Sequence, residues 1–299
     1  VIYAARDDKG HYTWEGVQYP SVTTVLDLIS GEHLRMWYAK MAASESAEIA
    51  SRIQAKQLDR EVGLDQIQNW ERRMTAAIRY RDHAAARGSI THRVLYLSAM
   101  GESGFTNDRL AQMANEMNLV DPTRDDGDTY LDLLVRESRS YVDSALNWVL
   151  QKKPQFISIG LEATTVSVTH GYAGTMDAIA MIDGRTMLLD FKTSKTVDVK
   201  KVPMQMEAYR NADFIGLIAS GEKFDIPPVD AMGVVHITPM DGSQLHVWEP
   251  NDDVFNGFLA LREVYGLLNN MPKPNTARRA ARPGTAKSAP KAKEKTCPF

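Results

Sequence analysis

Residues 171–195 read GYAGTMDAIAMIDGRTMLLDFKTSK, and this stretch decides how the rest of the chain is interpreted. Asp183-Gly184 is the signature of a two-residue hairpin turn. Tyr172 to Ile182 and Thr186 to Thr193 are therefore predicted as two neighbouring strands. Met187-Leu188-Leu189 is a buried run, and Asp190 stands where that run reaches the sheet edge. Alternation then places Asp190 and Lys192 on one face and Phe191 on the other. Asp177, thirteen residues before Asp190, falls on the partner strand. Two carboxylates can hold a hard cation through oxygen. An ammonium beside them can neutralise developing charge or position a nucleophile. Gly171 and Gly174 either let a ligand approach the backbone or mark a bulge.

Outward from this hairpin the hydrophobic period changes. Upstream, Tyr12, Trp14 and Val17 alternate around Gly16 as a short hairpin, and Ser21 or Thr23 caps a short helix running into Asp27 to Ile29. Helices are predicted over 32–58, over 64–97 with a break near Arg87-Gly88, around 109–117, and over 129–151. After Pro154 the chain turns β-branched and alternating at Glu162 to Thr169. Downstream come a helix over 202–220, strands at 231–238 and 244–249, and a helix over 252–269. The class is α/β, with a mixed sheet and a helical N-terminal half. The expected parts are a mainly helical region at 1–153, a core at 154–272 and a basic tail at 273–299.

A composition of 43% hydrophobic and 24% charged residues is that of a globular chain able to bury a sizeable core. No apolar run approaches the ~18 residues of a bilayer span, and no secretory signal opens the sequence, so no membrane is expected. Cys297 is the single cysteine. It excludes a disulfide framework and a thiolate-held cluster within one chain and points to a reducing cytoplasm. Eight of the 35 basic residues and one of the 38 acidic ones lie from Lys273 onward, leaving −10 before that point and +7 after it. Such a tail either tethers a polyanion by counterion release or only solubilises the chain.

Taken alone, Asp-x-Lys is a weak motif. Here it has company, in a fixed order: Gly88-x-x-x-His92, Glu162, Gly174-Thr175-x-Asp177, Asp190-Phe191-Lys192-Thr193 and Gln205-x-x-x-Tyr209. Gln205 and Tyr209, four apart, share a helix face. The set resembles the PD-(D/E)XK nuclease superfamily, in particular its RecB/Cas4-like exonuclease branch, over about residues 85–215. Tyr19-Pro20-Ser21-Val22-Thr23 is similar to the start of phage-encoded members.

The resemblance implies a restriction-endonuclease-like core, a mixed central sheet flanked by helices. It implies a magnesium- or manganese-dependent DNA exonuclease acting in recombination, repair or replication, on the ends of single strands. His92, Asp177, Asp190 and the Phe191 carbonyl would bind the metal, and Lys192 would orient or activate the attacking water. In that crowded cationic site the Lys192 pKa is expected to be lowered. Gln205 and Tyr209 would line the DNA path, with Gln205 also able to steady Lys192. Glu162 would either ligate a second metal or carry a hydrogen bond on the first strand. Trp37, Tyr38 and Arg35 would contact the threaded strand or, as usual for helical aromatics, form core. The four cysteines of the Cas4 iron–sulfur cluster are missing, so no cluster is expected. No P-loop is present either, so a helicase would be a separate partner, as would any polymerase or recombination protein. Alternatives are a catalytically inert DNA-binding accessory protein and a restriction-type endonuclease.

Overall fold

The computed structural model describes residues 6–7, 9–120, 127–217, 220–239 and 242–271. The basic tail from Lys273 lies outside them. Two sheets carry the fold. The larger has the strand order β11 (Gly242–Trp248), β10 (Ala231–Thr238), β7 (Arg185–Lys192), β6 (Ala178–Ile182), β3 (Gln155–Phe156). Only its β10–β7 pairing is parallel, so the sheet is mixed. The smaller is antiparallel, in the order β5 (Tyr172–Met176), β4 (Ala163–Ser167), β8 (Phe214–Leu217), β9 (Glu222–Phe224). An N-terminal hairpin, β1 (His11–Trp14) and β2 (Val17–Pro20), lies against it.

The β6–β7 hairpin forms as its turn residues demand. Asp183 and Gly184 have φ of 51° and 80°, the pair of positive values that a two-residue turn of type I′ needs. The strand expected at 172–182 is, however, two strands in two sheets. Met176 pairs with Ala163 of β4, whereas Ala178 pairs with Leu189 of β7. Asp177 is the crossing point. Local alternation does not reveal such a crossing, because Met176 and Ala178 are both buried whichever sheet claims them.

Eight α-helices complete the described residues: α1 (Val22–Leu26), α2 (Gly31–Gln54), α3 (Arg60–Gln68), α4 (Trp70–Ala99), α5 (Asn107–Glu116), α6 (Gly127–Lys152), α7 (Lys201–Arg210) and α8 (Asp252–Asn269). Ser21 caps α1 through Thr24 N–H, and Asp59 caps α3 through two backbone donors. The single helical stretch expected over 64–97 is divided at Asn69, and it is not broken at Gly88. That glycine serves packing instead: a Cβ there would lie 3.1 Å from Thr193 Oγ1, just past the end of β7. The helix expected over 202–220 stops at Arg210. Asp213 N–H then bonds Val166 O, and Phe214–Leu217 joins the smaller sheet. A short all-apolar run fits helix or strand equally, and here the open side of β4 claims it.

Three packed layers position the site. Leu188 and Val234 on one face of the larger sheet meet Tyr172 and Met176 of the smaller one, together with α1, Met206 and Tyr209 of α7, and Phe258 of α8. On the other face Met187, Leu189 and Phe191 pack on Leu95 of α4 and on Ala145 and Trp148 of α6. Ile90, Val94, Leu110, Met113, Leu134 and Val142 join α4, α5 and α6 to one another. Each such side chain contributes about 1.5–3 kcal/mol by leaving water, so α4 is fixed against the sheet along the turns that carry His92. Among the described residues no helix is long and apolar enough to cross a membrane.

Candidate metal centre

Four chain segments converge at the end of β7. His92 comes from α4, Glu162 from the residue before β4, Asp177 from the crossing between the sheets, and Asp190 to Lys192 from β7 itself. Donor atoms of His92, Glu162 and Asp177 all lie within 4.8 Å of one another. His92 Nδ1 is 3.6 Å from Asp177 Oδ1, and His92 Nε2 is 2.8 Å from the Phe191 carbonyl oxygen. Glu162 holds its place at φ 47°, an uncommon conformation for a residue with a side chain, while its N–H donates to Asp177 O at 2.8 Å. One imidazole, two carboxylates and a carbonyl make a donor set for a small hard or borderline divalent cation.

Asp190 stands beside this set and not inside it. It is 3% exposed, and both of its oxygens are 2.9 Å from Lys192 Nζ. Gln205 Nε2 donates to Oδ1 at 3.1 Å. Oδ2 is buried and is held by the Lys192 ammonium as an ion pair, with no further partner among the described residues. Of the residues expected around a metal, His92 and Asp177 lie in the compact group together with Glu162, the Phe191 carbonyl meets His92, and Asp190 is the group's neighbour, tied to Lys192 and Gln205.

Gln205 and Tyr209 do not line an open path. Both are buried, and Gln205 Nε2 is 3.2 Å from the Tyr209 hydroxyl. They support Asp190 from behind. Gly174, read as a possible ligand approach, is filled by the same tyrosine, since a Cβ there would meet Tyr209 Cε1 at 2.5 Å. Gly171 is a turn at φ 71° whose carbonyl accepts Arg262 Nε. Trp37 and Tyr38 pack edge to face at 5.2 Å, and Arg81 donates to the Tyr38 hydroxyl. The Arg35 side chain is outside the described residues.

The charges explain one another. Burial disfavours the His92 imidazolium, yet Asp177 beside it, with Glu162 and Asp190 behind, outweighs that and pushes its pKa up to about 9. Burial raises Glu162 to about 7, helped by the Asp177 charge. Burial, with Asp177, lifts Asp190 to about 6 against the pull of Lys192. Asp177 goes the other way: burial would raise it, but His92, Lys192 and the Phe191 N–H hold it below the ordinary carboxylate range. For Lys192, burial opposes the charge and the Asp190 and Asp177 carboxylates overcome it, so its pKa is raised. The expected lowering of the lysine does not occur, because its nearest neighbours are anions. Three carboxylates against one imidazolium and one ammonium leave the site short of positive charge, and the proton on His92 is the one a cation would displace.

A cavity of about 630 Å³ opens beside His92 and Glu162, walled by α4 and by Glu116 and Met117 at the end of α5. Ser89, Arg93 and Tyr96 of α4 also line it. None of these three stood out in the sequence. The available signal was positional: they share the helix face of Gly88 and His92 at spacings of three and four.

No protein-family model matches the chain, and no curated protein matches it. Among solved structures, one described as "Crystal structure of SSO0001" is similar at 15% identity over 62% of this chain and 87% of its own, with a TM-score of 0.27, a likeness too slight to carry an argument.

Proposed function

We propose that this protein is a divalent-cation-dependent nuclease that hydrolyses phosphodiester bonds of DNA from strand ends. The observation that carries the reading is the half-buried His92–Glu162–Asp177 donor group with the Asp190–Lys192 pair next to it. The order of motifs along the chain supports it independently. His92, Glu162, Asp177 and the Phe191 carbonyl would hold a magnesium or manganese ion, with the Asp190–Lys192 pair beside them. When bound, that ion supplies Lewis acidity toward a phosphate oxygen and acidifies a water molecule.

The side chains divide the remaining work. Lys192, its charge favoured by two carboxylates, stays an ammonium at neutral pH. It therefore acts as a donor and positive charge toward the phosphate or the attacking water, and not as a base. Asp190 fixes the ammonium, and Gln205 fixes Asp190. In the hydrolysis a water oxygen bonds to phosphorus, the bond from phosphorus to the sugar oxygen breaks, and the departing oxygen takes up a proton.

The test is degradation of end-labelled linear single-stranded DNA with magnesium, manganese or EDTA, beside Asp177→Ala and Lys192→Ala. Metal-dependent loss that Asp177→Ala abolishes and Lys192→Ala slows by about a hundredfold or more is the expected result. Full activity in purified Lys192→Ala would refute the assignment. A covalently closed circle as second substrate separates cutting from ends from internal cutting.

A further inference from the structure

We infer that β11 is an interface at which a second copy of this chain pairs, β11 against β11 about a two-fold axis, joining two sheets into one. The inference stands apart from the nuclease reading and does not rest on it.

The two main sheets have four edges, and three of them are closed to pairing. β3 is only two residues long. β9 has three, among them Glu222 and Lys223, and the lysine reaches Glu15 at 3.0 Å. β5 is covered by the N-terminal segment, through the Ser21–Ala173 bridge and the 3.0 Å contact of the Tyr12 hydroxyl with Thr175 Oγ1. Short, charged or covered edges are the usual defences against an added strand. β11 has none of them. It pairs with β10 at seven consecutive positions, from Met232–Trp248 to Thr238–Gly242, with no bulge. Its sequence GSQLHVW holds no Lys, Arg, Asp, Glu or Pro. Among the described residues no other strand or backbone segment bonds to its outer side. A long, regular, uncharged edge of this kind is a template for β-strand addition.

Closure points to a second copy as the occupant. A strand from another protein would cover β11 and present its own outer edge in turn. Self-pairing about a two-fold creates no new edge, because the joined sheet ends on both sides in the two-residue β3. Antiparallel pairing centred on Leu245 also suits the residues. It sets Trp248 opposite Gly242, so that a large ring covers a position without a side chain. It sets Gln244 opposite His246, an amide beside an imidazole, and neither side chain has a hydrogen bond among the described residues. Val247, 43% exposed, comes to lie beside Ser243. No like charges oppose one another along this ladder. The carboxylate just after it, Glu249, is held by Arg185 at 2.7 Å. Two five-stranded sheets then make one of ten strands, and the two candidate metal centres face opposite ends of it. Five strand spacings, about 24 Å, separate β7 from its counterpart.

The test is sedimentation velocity with light scattering on the full chain, in EDTA and without nucleic acid, over a range of concentrations. One added ladder is a small interface, so the expected dimer dissociates on dilution. Gln244→Lys/His246→Lys sets like charges opposite each other at both mixed pairs and should weaken the dimer tenfold or more. Gln244→Lys/His246→Glu makes the same two pairs attractive and should return it to within threefold of the parent. Val247→Lys, an edge charge at an exposed position, should also weaken it tenfold. Thermal melts establish that each variant is folded; where a double variant is not, Val247→Lys decides. A parent that stays monomeric up to its solubility limit overturns the proposal and leaves the edge to a strand of another protein. A folded Gln244→Lys/His246→Lys or Val247→Lys chain that dimerises like the parent overturns it too, as does a folded Gln244→Lys/His246→Glu chain that stays monomeric.

Discussion

The Asp177 carboxylate accepts the backbone N–H of Phe191 at 2.7 Å. That donor belongs to the ladder of β7, but β6 pairs only from Ala178, opposite Leu189, and no strand neighbour remains for residue 191 on that side. A side chain completes a sheet where the backbone has left it. The same carboxylate turns its other oxygen toward His92. Sheet and candidate metal centre thus share one residue.

Asp177→Asn and Asp177→Ala should separate these two duties. The asparagine keeps an acceptor for Phe191 N–H and loses the charge; it should fold with a melting temperature near the parent and bind manganese at least a hundredfold more weakly. The alanine in addition leaves the donor without a partner, at about 1–3 kcal/mol. Thermal melts with and without manganese distinguish them; equal melts for the two variants would remove the structural duty.

Lys192→Ala should cut activity by a factor of about 10²–10³, the usual loss when one preorganised donor goes. It also leaves Asp190 buried without its counter-charge. The Asp190 pKa, already raised to about 6, should rise further. A raised acid makes the folded state bind a proton that the unfolded state releases, so stability falls as pH climbs above the unfolded value. The variant should therefore lose more melting temperature at pH 8 than at pH 5, and Lys192→Ala/Asp190→Asn should recover most of it. Identical losses at both pH values would contradict the pairing.

Metal affinity should depend on pH with a definite sign. A cation at His92 must displace the proton retained up to about pH 9, and Glu162 retains its proton up to about pH 7. Apparent manganese affinity should rise with pH, by up to about tenfold per unit between these values and more steeply below 7. Without metal the sign reverses: His92 stabilises the fold fully below its ordinary 6.5, and that contribution is lost as pH rises through about 9. Calorimetric titration at several pH values checks the first statement and apo-protein melts the second. A flat affinity from pH 7 to 9 would refute the raised histidine.

Gly174→Ala should be costly for a reason unrelated to ligands. Its Cβ would sit 2.5 Å from Tyr209 Cε1, deep in the core. Overpacking of this kind costs about 1–3 kcal/mol. Displacing Tyr209 disturbs Gln205 and, through it, Asp190, so activity and melting temperature should fall together. Gly88→Ala, with 3.1 Å to a threonine hydroxyl, asks only a small shift of α4 and should lose far less. A Gly174→Ala protein that melts like the parent would show that the ring can move aside.

The alternation of Leu189, Asp190, Phe191 and Lys192 was legible because a strand has period two and one face is core. Ser21 as a cap and Asp183-Gly184 as a turn were legible for equally local reasons. The crossing at Asp177 was not: nothing in Met176-Asp177-Ala178 distinguishes one continuous strand from two halves claimed by different sheets. Phe214–Leu217 was read as the end of a helix because apolar runs lack a period. Glu162 was legible by its place in the motif order, whereas its left-handed backbone was not. Arg93 stayed hidden since a polar residue beside a helical histidine is ordinary until α5 is known to face it.

The contact between His92 and Phe191 closes a loop of 99 residues. Loop closure over such a span comes late in folding, after local helices and hairpins have formed. A chain still emerging from the ribosome carries the imidazole before Asp190 and Lys192 are made, and one whose α4 has come undocked keeps β7 with Asp190 and Lys192 but has the imidazole out of place. On the proposed reading, a cutting centre divided between distant segments keeps immature and partly unfolded copies harmless to the nucleic acid around them.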